Sequence, residues 1–111
     1  GPFSVRWKFR VNFIGLNQIS EIIPKEYKLY QNYPNPFNPV TTIQYSIPQR
    51  SNVTLKVYDV LGKEIAVLVN EEKDRGVYTA GFDGTGLASG MYLYRLQAGS
   101  FIETKKMILI K

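Results

Sequence analysis

The chain has 111 residues, a length that suits one domain with a single hydrophobic core. It contains no cysteine and no histidine, which excludes thiol nucleophiles, Cys/His zinc sites, disulfide frameworks and catalysis by an imidazole base. The net charge of +5 resides in the terminal segments 1–14 and 100–111. Because no central basic cluster is available to track a phosphate backbone, we expect no nucleic-acid partner.

Residues 1–26 are predicted to form a long extended strand followed by a linker. Large apolar residues alternate with polar residues over 3–13, which is the period of a strand with one apolar face. Such a strand would be an aggregation-prone edge in water, so we expect it to pair with this domain, with a neighbouring domain or with another subunit. The predicted strand-pairing surface consists of Phe3, Val5, Trp7, Phe9, Val11 and Phe13.

Residues 27–111 read as a succession of short strands with no helical period. The predicted strands are 27–30, 42–47, 52–58, 64–69, 77–82, 91–97 and 101–110, with a charged loop over 70–76. Gly62 is predicted to supply the positive φ of a tight hairpin. Strands spaced by about ten residues leave no room for crossover helices, so the fold class is all-β, a seven-stranded antiparallel immunoglobulin-like β-sandwich with the N-terminal strand added.

Three groups of side chains could carry chemistry, and each has a more ordinary explanation as a turn, a solvated loop or core. They are Asp83 in the turn 83–86, the acidic residues Glu71, Glu72 and Asp74, and the pair Tyr92 and Tyr94. A single turn carboxylate is a poor cation site, and carboxylates interleaved with basic residues are typical of a solvated tip. Tyrosines at strand period favour core positions over a stacking platform for sugars or bases. We therefore expect no enzyme, no metal, no cofactor and no small-molecule substrate.

A segment rich in proline and asparagine precedes the second predicted strand. Its residues are Tyr33, Pro34, Asn35, Pro36, Phe37, Asn38 and Pro39. Proline fixes φ and removes the amide donor, so this segment is neither a helix nor a central strand. We expect a stiff connector in which Tyr33 and Phe37 insert as anchors and the asparagines satisfy backbone groups.

Several motifs, in order and correctly spaced, resemble the type A C-terminal sorting domain of the type IX secretion system. They are the 33–39 segment, the strand with Thr42, Ile43 and Tyr45, Tyr58-Asp-Val-Leu-Gly-Lys63, Phe82-Asp-Gly84, Ala88-Ser-Gly-Met-Tyr92 and Thr104 to Lys111. The resemblance implies a secreted, immunoglobulin-like module that the outer-membrane translocon recognises in the periplasm, and that is clipped off as its cargo is anchored to surface lipopolysaccharide.

The same resemblance implies roles for particular residues. The sorting signal would be Lys105, Lys106, Met107, Ile108, Leu109, Ile110 and Lys111. The positions required by the fold would be Gly62, Asp83, Gly84 and Gly90.

Two functions remain open from the sequence. The favoured one is a non-catalytic sorting and anchoring module, displayed at the cell surface, whose N-terminal strand is the tail of its cargo. The alternative is a structural subunit of an extracellular filament, in which residues 3–13 add a strand to the sandwich of an identical neighbouring subunit. The oligomeric state of the purified chain would separate the two.

Overall fold

A computed structural model describes residues 23–111 of the chain. Within that range the protein forms β-strands and no helix, and so no helix that could cross a membrane. The strands are β1 Lys28–Leu29, β2 Val40–Ile47, β3 Ser51–Tyr58, β4 Glu64–Lys73, β5 Gly76–Asp83, β6 Gly90–Ala98 and β7 Phe101–Leu109. The predicted strand over 3–13 lies outside the described residues, so its pairing stays a prediction.

The described strands form two antiparallel sheets. One sheet has the order β1-β2-β5 and the other has the order β4-β3-β6-β7. The predicted all-β sandwich of immunoglobulin-like form is confirmed. The fourth strand pairs with the third, whereas in the constant-type immunoglobulin domain it lies in the sheet of the first strand.

The core lies between the sheets, and in most strands alternating apolar residues face it. In β2 the predicted inward residues Ile43, Tyr45 and Ile47 are all buried. In β3 the inward residues Val53, Leu55 and Val57 are buried as well. Each such side chain contributes about 1.5–3 kcal/mol when it leaves water, and this burial stabilises a domain that has no disulfide.

One predicted boundary is wrong. The charged loop expected over 70–76 is mostly strand, because β4 continues to Lys73 and pairs with β3 as far as Ser51. Two register irregularities in the β3–β4 ladder, near Leu55/Lys56 and Val57/Tyr58, disturb the alternation on which the sequence prediction depends. The loop that remains is a short turn over 74–75.

The topology gives the sandwich two distinct ends. The distal end is formed by the segments 30–39, 59–63, 84–89 and 110–111, and β7 finishes there. The proximal end is formed by the turns 48–50, 74–75 and 99–100. The polypeptide that precedes β1 enters at the proximal end, since the ring of Tyr27 stacks on that of Phe101 with 5.4 Å between centroids.

Candidate recognition site at the C-terminal strand

The residues of the expected sorting signal lie at an edge of the four-stranded sheet. Among the described strands β7 pairs only with β6, so one side of its backbone faces outward. Met107 and Leu109 point into the core and are fully buried. Ile108 and Ile110 point outward and remain 37% and 47% exposed. The end of β7 therefore combines two buried residues with two accessible apolar ones.

The lysines of this segment do not form one cationic cluster. Lys105 and Lys106 are adjacent in a strand and point to opposite faces of the sheet. The ammonium of Lys105 lies 3.5 Å from a carboxylate oxygen of Glu103. The side chain of Lys106 is exposed, as is that of Lys111, whose backbone N–H donates to Ser89 Oγ at 3.1 Å. Charge at this site is thus divided among separate positions.

The proline/asparagine segment holds the end of β7 through the backbone. The N–H of Phe37 donates to the carbonyl of Ile108, and the N–H of Ile110 donates to the carbonyl of Phe37, both at 2.9 Å. The side-chain oxygen of Asn35 accepts from the N–H of Ile108 at 3.0 Å. These bonds occupy the outward backbone groups of β7 where the strand would otherwise present an open edge. We call residues 33–39 the clamp segment.

Phe37 fixes the clamp segment to the core. Its side chain is 1% exposed and meets Phe82 edge to face, with ring centroids 6.0 Å apart. Gly84 makes room for it, because a Cβ there would lie 3.1 Å from Leu109 Cδ2 and 3.4 Å from Phe37. The Gly84 N–H also donates to the Pro39 carbonyl at 2.7 Å. A side chain at position 84 would therefore crowd both Phe37 and Leu109.

The expectation that Tyr33 inserts as a second anchor is wrong. Its side chain is 81% exposed, because its backbone pairs with Thr42 and the neighbouring Asn32 takes the inward position. The other members of the segment, Pro34, Asn35, Pro36, Asn38 and Pro39, lie at or near the surface.

A buried polar network at the start of the clamp segment was not predicted. The amide nitrogen of the Asn32 side chain donates to Thr41 Oγ1 at 3.0 Å and to the Pro34 carbonyl at 3.1 Å. The hydroxyl of Tyr94 accepts from the Asn32 N–H and donates to the Tyr30 carbonyl, both at 2.8 Å. Because Asn32, Thr41 and Tyr94 are buried and hydrogen-bonded to one another, the network sets the path of the chain into the clamp segment.

The pair Tyr92 and Tyr94 belongs to the core, as the strand period predicted. Both side chains are buried, and the Tyr92 hydroxyl donates to the Ala88 carbonyl at 2.7 Å. Burial raises the pKa of Tyr94 to about 12. Neither ring is available as a stacking platform.

The turn with Asp83 is built as a local cap. The Asp83 carboxylate accepts from the N–H of Thr85 at 2.9 Å and from its hydroxyl at 2.6 Å. These hydrogen bonds, that of the hydroxyl foremost, lower the pKa of Asp83. Among residues 23–111 no group of three or more Asp, Glu, His or Cys side chains is placed to hold a metal ion.

The acidic residues Glu71, Glu72 and Asp74 are engaged with basic side chains at the proximal end. Arg50 contacts both Glu72, at 3.2 Å, and Asp74. Lys73 lies 2.9 Å from Glu71. The hydrogen bonds to Asp74 and Glu72 raise the pKa of Arg50. These carboxylates form exposed ion pairs with basic side chains, as is typical of a solvated surface.

Comparison with known proteins gives the family and the fold. A family model described as the secretion system C-terminal sorting domain matches residues 31–111. Among solved structures, the chain is similar to PorZ, an essential bacterial surface component of the type IX secretion system of Porphyromonas gingivalis, with 19% sequence identity and a TM-score of 0.51. The match covers 75% of this chain and 11% of PorZ, and at this identity it shows the fold alone. No curated protein matches the chain.

Proposed function

This chain belongs to the family of secretion system C-terminal sorting domains. We propose that the outer-membrane machinery of the type IX system recognises the end of β7 together with residues 110–111. The family marks proteins that this system secretes to the cell surface or the extracellular space. The proposal assigns the recognised segment within the domain and no catalytic step. Anchoring to lipopolysaccharide and removal of the domain after export stay predictions.

One observation carries the proposal: the end of β7 is held in place and yet presents apolar side chains to solvent. The backbone bonds from Phe37 and the buried side chains Met107 and Leu109 fix its position. Ile108 and Ile110 remain accessible on the other side. A segment fixed before binding loses little conformational entropy when a partner covers it, so its exposed apolar area converts efficiently into affinity.

A double substitution tests the proposal. The full chain is fused behind a reporter, and Ile108→Asp with Ile110→Asp replaces the two accessible apolar side chains while leaving the buried ones in place. We expect the reporter to stay in the periplasm, with a loss of surface reporter of about tenfold or more, because two apolar contacts and their desolvation are removed. Surface labelling and fractionation measure the two pools.

The matched control is Ile102→Asp with Val77→Asp, which places the same charges at apolar residues near the proximal end. The control should be exported like the unsubstituted fusion. Deletion of Met107 to Lys111 should also block export, although it removes two core residues at the same time. Normal export of both the deletion and the Ile108/Ile110 variant would contradict the proposal.

A further inference from the structure

The hairpin 59–63 is a rigid tip at the distal end. The Asp59 carboxylate accepts from the N–H groups of Leu61 and Lys63, both at 2.9 Å. The Asp59 carbonyl accepts from the N–H of Gly62 at 3.0 Å, and the Asp59 N–H donates to the Lys63 carbonyl at 3.0 Å. Gly62 has φ +90°, a conformation that other residues rarely adopt. Four hydrogen bonds within five residues therefore hold this turn in one shape.

The two apolar side chains of this tip, Val60 and Leu61, are exposed and lie outside the core. Leu61 is 90% exposed and Val60 is also exposed, while Asp59 and Gly62 make the turn. A rigid hairpin that holds a leucine in water gains no stability from it. The apolar surface of Leu61 is therefore free to contact a partner, and its meaning depends on what lies beside it.

Most of the exposed large apolar residues described by the structure lie at the same end. Those at the distal end or beside it are Tyr33, Val40, Val60, Leu61, Met91, Ile108 and Ile110. Those elsewhere are Ile23, Val67, Val77 and Ile102. The hairpin and the end of β7 thus lie at the end of the sandwich that carries most of these residues.

The outer face of the four-stranded sheet connects the hairpin with β7. A shallow cavity of about 370 Å³ is lined by Tyr58, Gly62, Leu93, Arg95 and Thr104. Thr104 belongs to β7, so the two elements border the same depression. The guanidinium of Arg95 lies over the Tyr58 ring, 4.9 Å from its centroid, and donates to the Tyr58 hydroxyl at 2.7 Å. That contact fixes the floor of the depression.

The distal end faces away from the polypeptide that precedes β1, which enters beside Phe101 at the proximal end. A partner that covered the end of β7 from the distal side would also reach the hairpin, since both lie at that end. Continuity with the proposed recognition segment therefore identifies the occupant of this surface as the same component of the secretion machinery.

We propose that the hairpin 59–63 is a second recognition element, whose Leu61 and Val60 enter an apolar pocket of the outer-membrane component that receives β7. The inference rests on the proposed function and deepens it. It predicts that β7 alone is not sufficient for recognition, because part of the apolar contact comes from a hairpin distant in sequence.

The test uses the full chain fused behind a reporter, with Leu61→Asp as the variant and Ile102→Asp as its matched control, since Ile102 is 57% exposed near the other end. We expect Leu61→Asp to reduce surface reporter by about tenfold, the factor that loss of one buried leucine implies. The control should be exported normally. Thermal unfolding of both purified variants should match that of the unsubstituted chain, because neither side chain is part of the core.

The outcomes separate this inference from the proposed function. If Leu61→Asp is exported normally while the Ile108/Ile110 double variant is retained, the hairpin has no role and the β7 proposal stands. If Leu61→Asp and Ile102→Asp are retained equally, the effect is not specific to the hairpin and the inference is overturned. If the unsubstituted fusion is not exported, both proposals fail.

Discussion

The distal end of the sandwich is held by buried side chains and backbone hydrogen bonds, whereas the proximal end carries exposed ion pairs. At the distal end Phe37 is buried and its backbone bonds to both Ile108 and Ile110. At the proximal end Arg50 bridges Glu72 and Asp74 in the solvent. Exposed ion pairs contribute little to stability, while buried aromatic side chains contribute a great deal. The exposed apolar residues of the distal end therefore lie on a well-packed part of the fold.

The largest expected effect on stability comes from removing the buried side chain that anchors the distal end. Phe37→Ala should lower the free energy of unfolding by about 3–5 kcal/mol, because it removes a buried ring and leaves a cavity beside Phe82 and Gly84. Denaturant unfolding measures the loss. Tyr33 is exposed in the same clamp segment, so Tyr33→Ala should change the free energy of unfolding by no more than about 0.5 kcal/mol. Equal losses would mean that Phe37 does not anchor the segment.

A smaller effect is expected at Gly84. Gly84→Ala places a methyl 3.1 Å from Leu109 Cδ2, so the Leu109 side chain has to give by a few tenths of an ångström in a tightly packed place. We expect a loss of about 1–3 kcal/mol in the free energy of unfolding, typical of overpacking. Gly81→Ala is the matched control, since nothing lies within 4 Å of its Cβ. A neutral Gly84→Ala would show that the contact relaxes without strain.

The buried tyrosines between the two ends predict that the stability of the fold depends on pH in the alkaline range. Burial raises the pKa of Tyr94 from its ordinary 10.0 to about 12, so the fold favours the neutral hydroxyl. This contribution to stability is complete below pH 10 and is lost as pH rises through about 12. Denaturation midpoints across this range measure the slope.

The control for this slope is Tyr94→Phe, which removes the titrating group. The stability of the variant should depend much less on pH. The dependence that remains should come from Tyr45, because burial raises its pKa as well. Identical slopes in the variant and the unsubstituted chain would show that Tyr94 does not carry the effect.

The smallest effect is expected at the proximal end. Arg50→Ala should lower the thermal midpoint only slightly, because solvent and salt screen its ion pairs. The difference from the unsubstituted chain should shrink further at high ionic strength. Arg75→Ala removes the same charge from the neighbouring turn and serves as the control. A large decrease in the thermal midpoint of Arg50→Ala that persists at high salt would show that the proximal ion pairs contribute more to stability than this comparison of the two ends allows.

The sandwich could be predicted from the sequence because the alternation of apolar and polar residues is visible within each short segment. Alternation over 42–47 is enough to place Ile43, Tyr45 and Ile47 inward. Ser46 is buried as well, because β1 covers it and its hydroxyl donates to the Glu26 carbonyl at 3.4 Å. That burial depends on a neighbouring strand and is not visible in the pattern of β2.

The contact between the clamp segment and β7 could not be predicted from patterns within short segments of the sequence. The bond between Asn35 and Ile108 joins residues 73 positions apart, and no periodicity reports such a contact. Tyr33 and Phe37 are both aromatic residues in one proline-rich segment. Which of them is buried depends on the pairing of Tyr33 with Thr42 and on the space for Phe37 beside Gly84 and Phe82. The roles expected for the sorting residues came from resemblance, and the structure adds their exposed and buried faces.

The account depends most on the claim that the distal end meets the secretion machinery. A photo-reactive residue placed at Leu61, at Ile110 or at Ile102 in the exported full-chain fusion tests this claim in cells. Cross-links from positions 61 and 110 to the same outer-membrane component, with none from 102, are the result that we predict. A cross-link from position 102 to that component, with none from 61 and 110, would contradict the account.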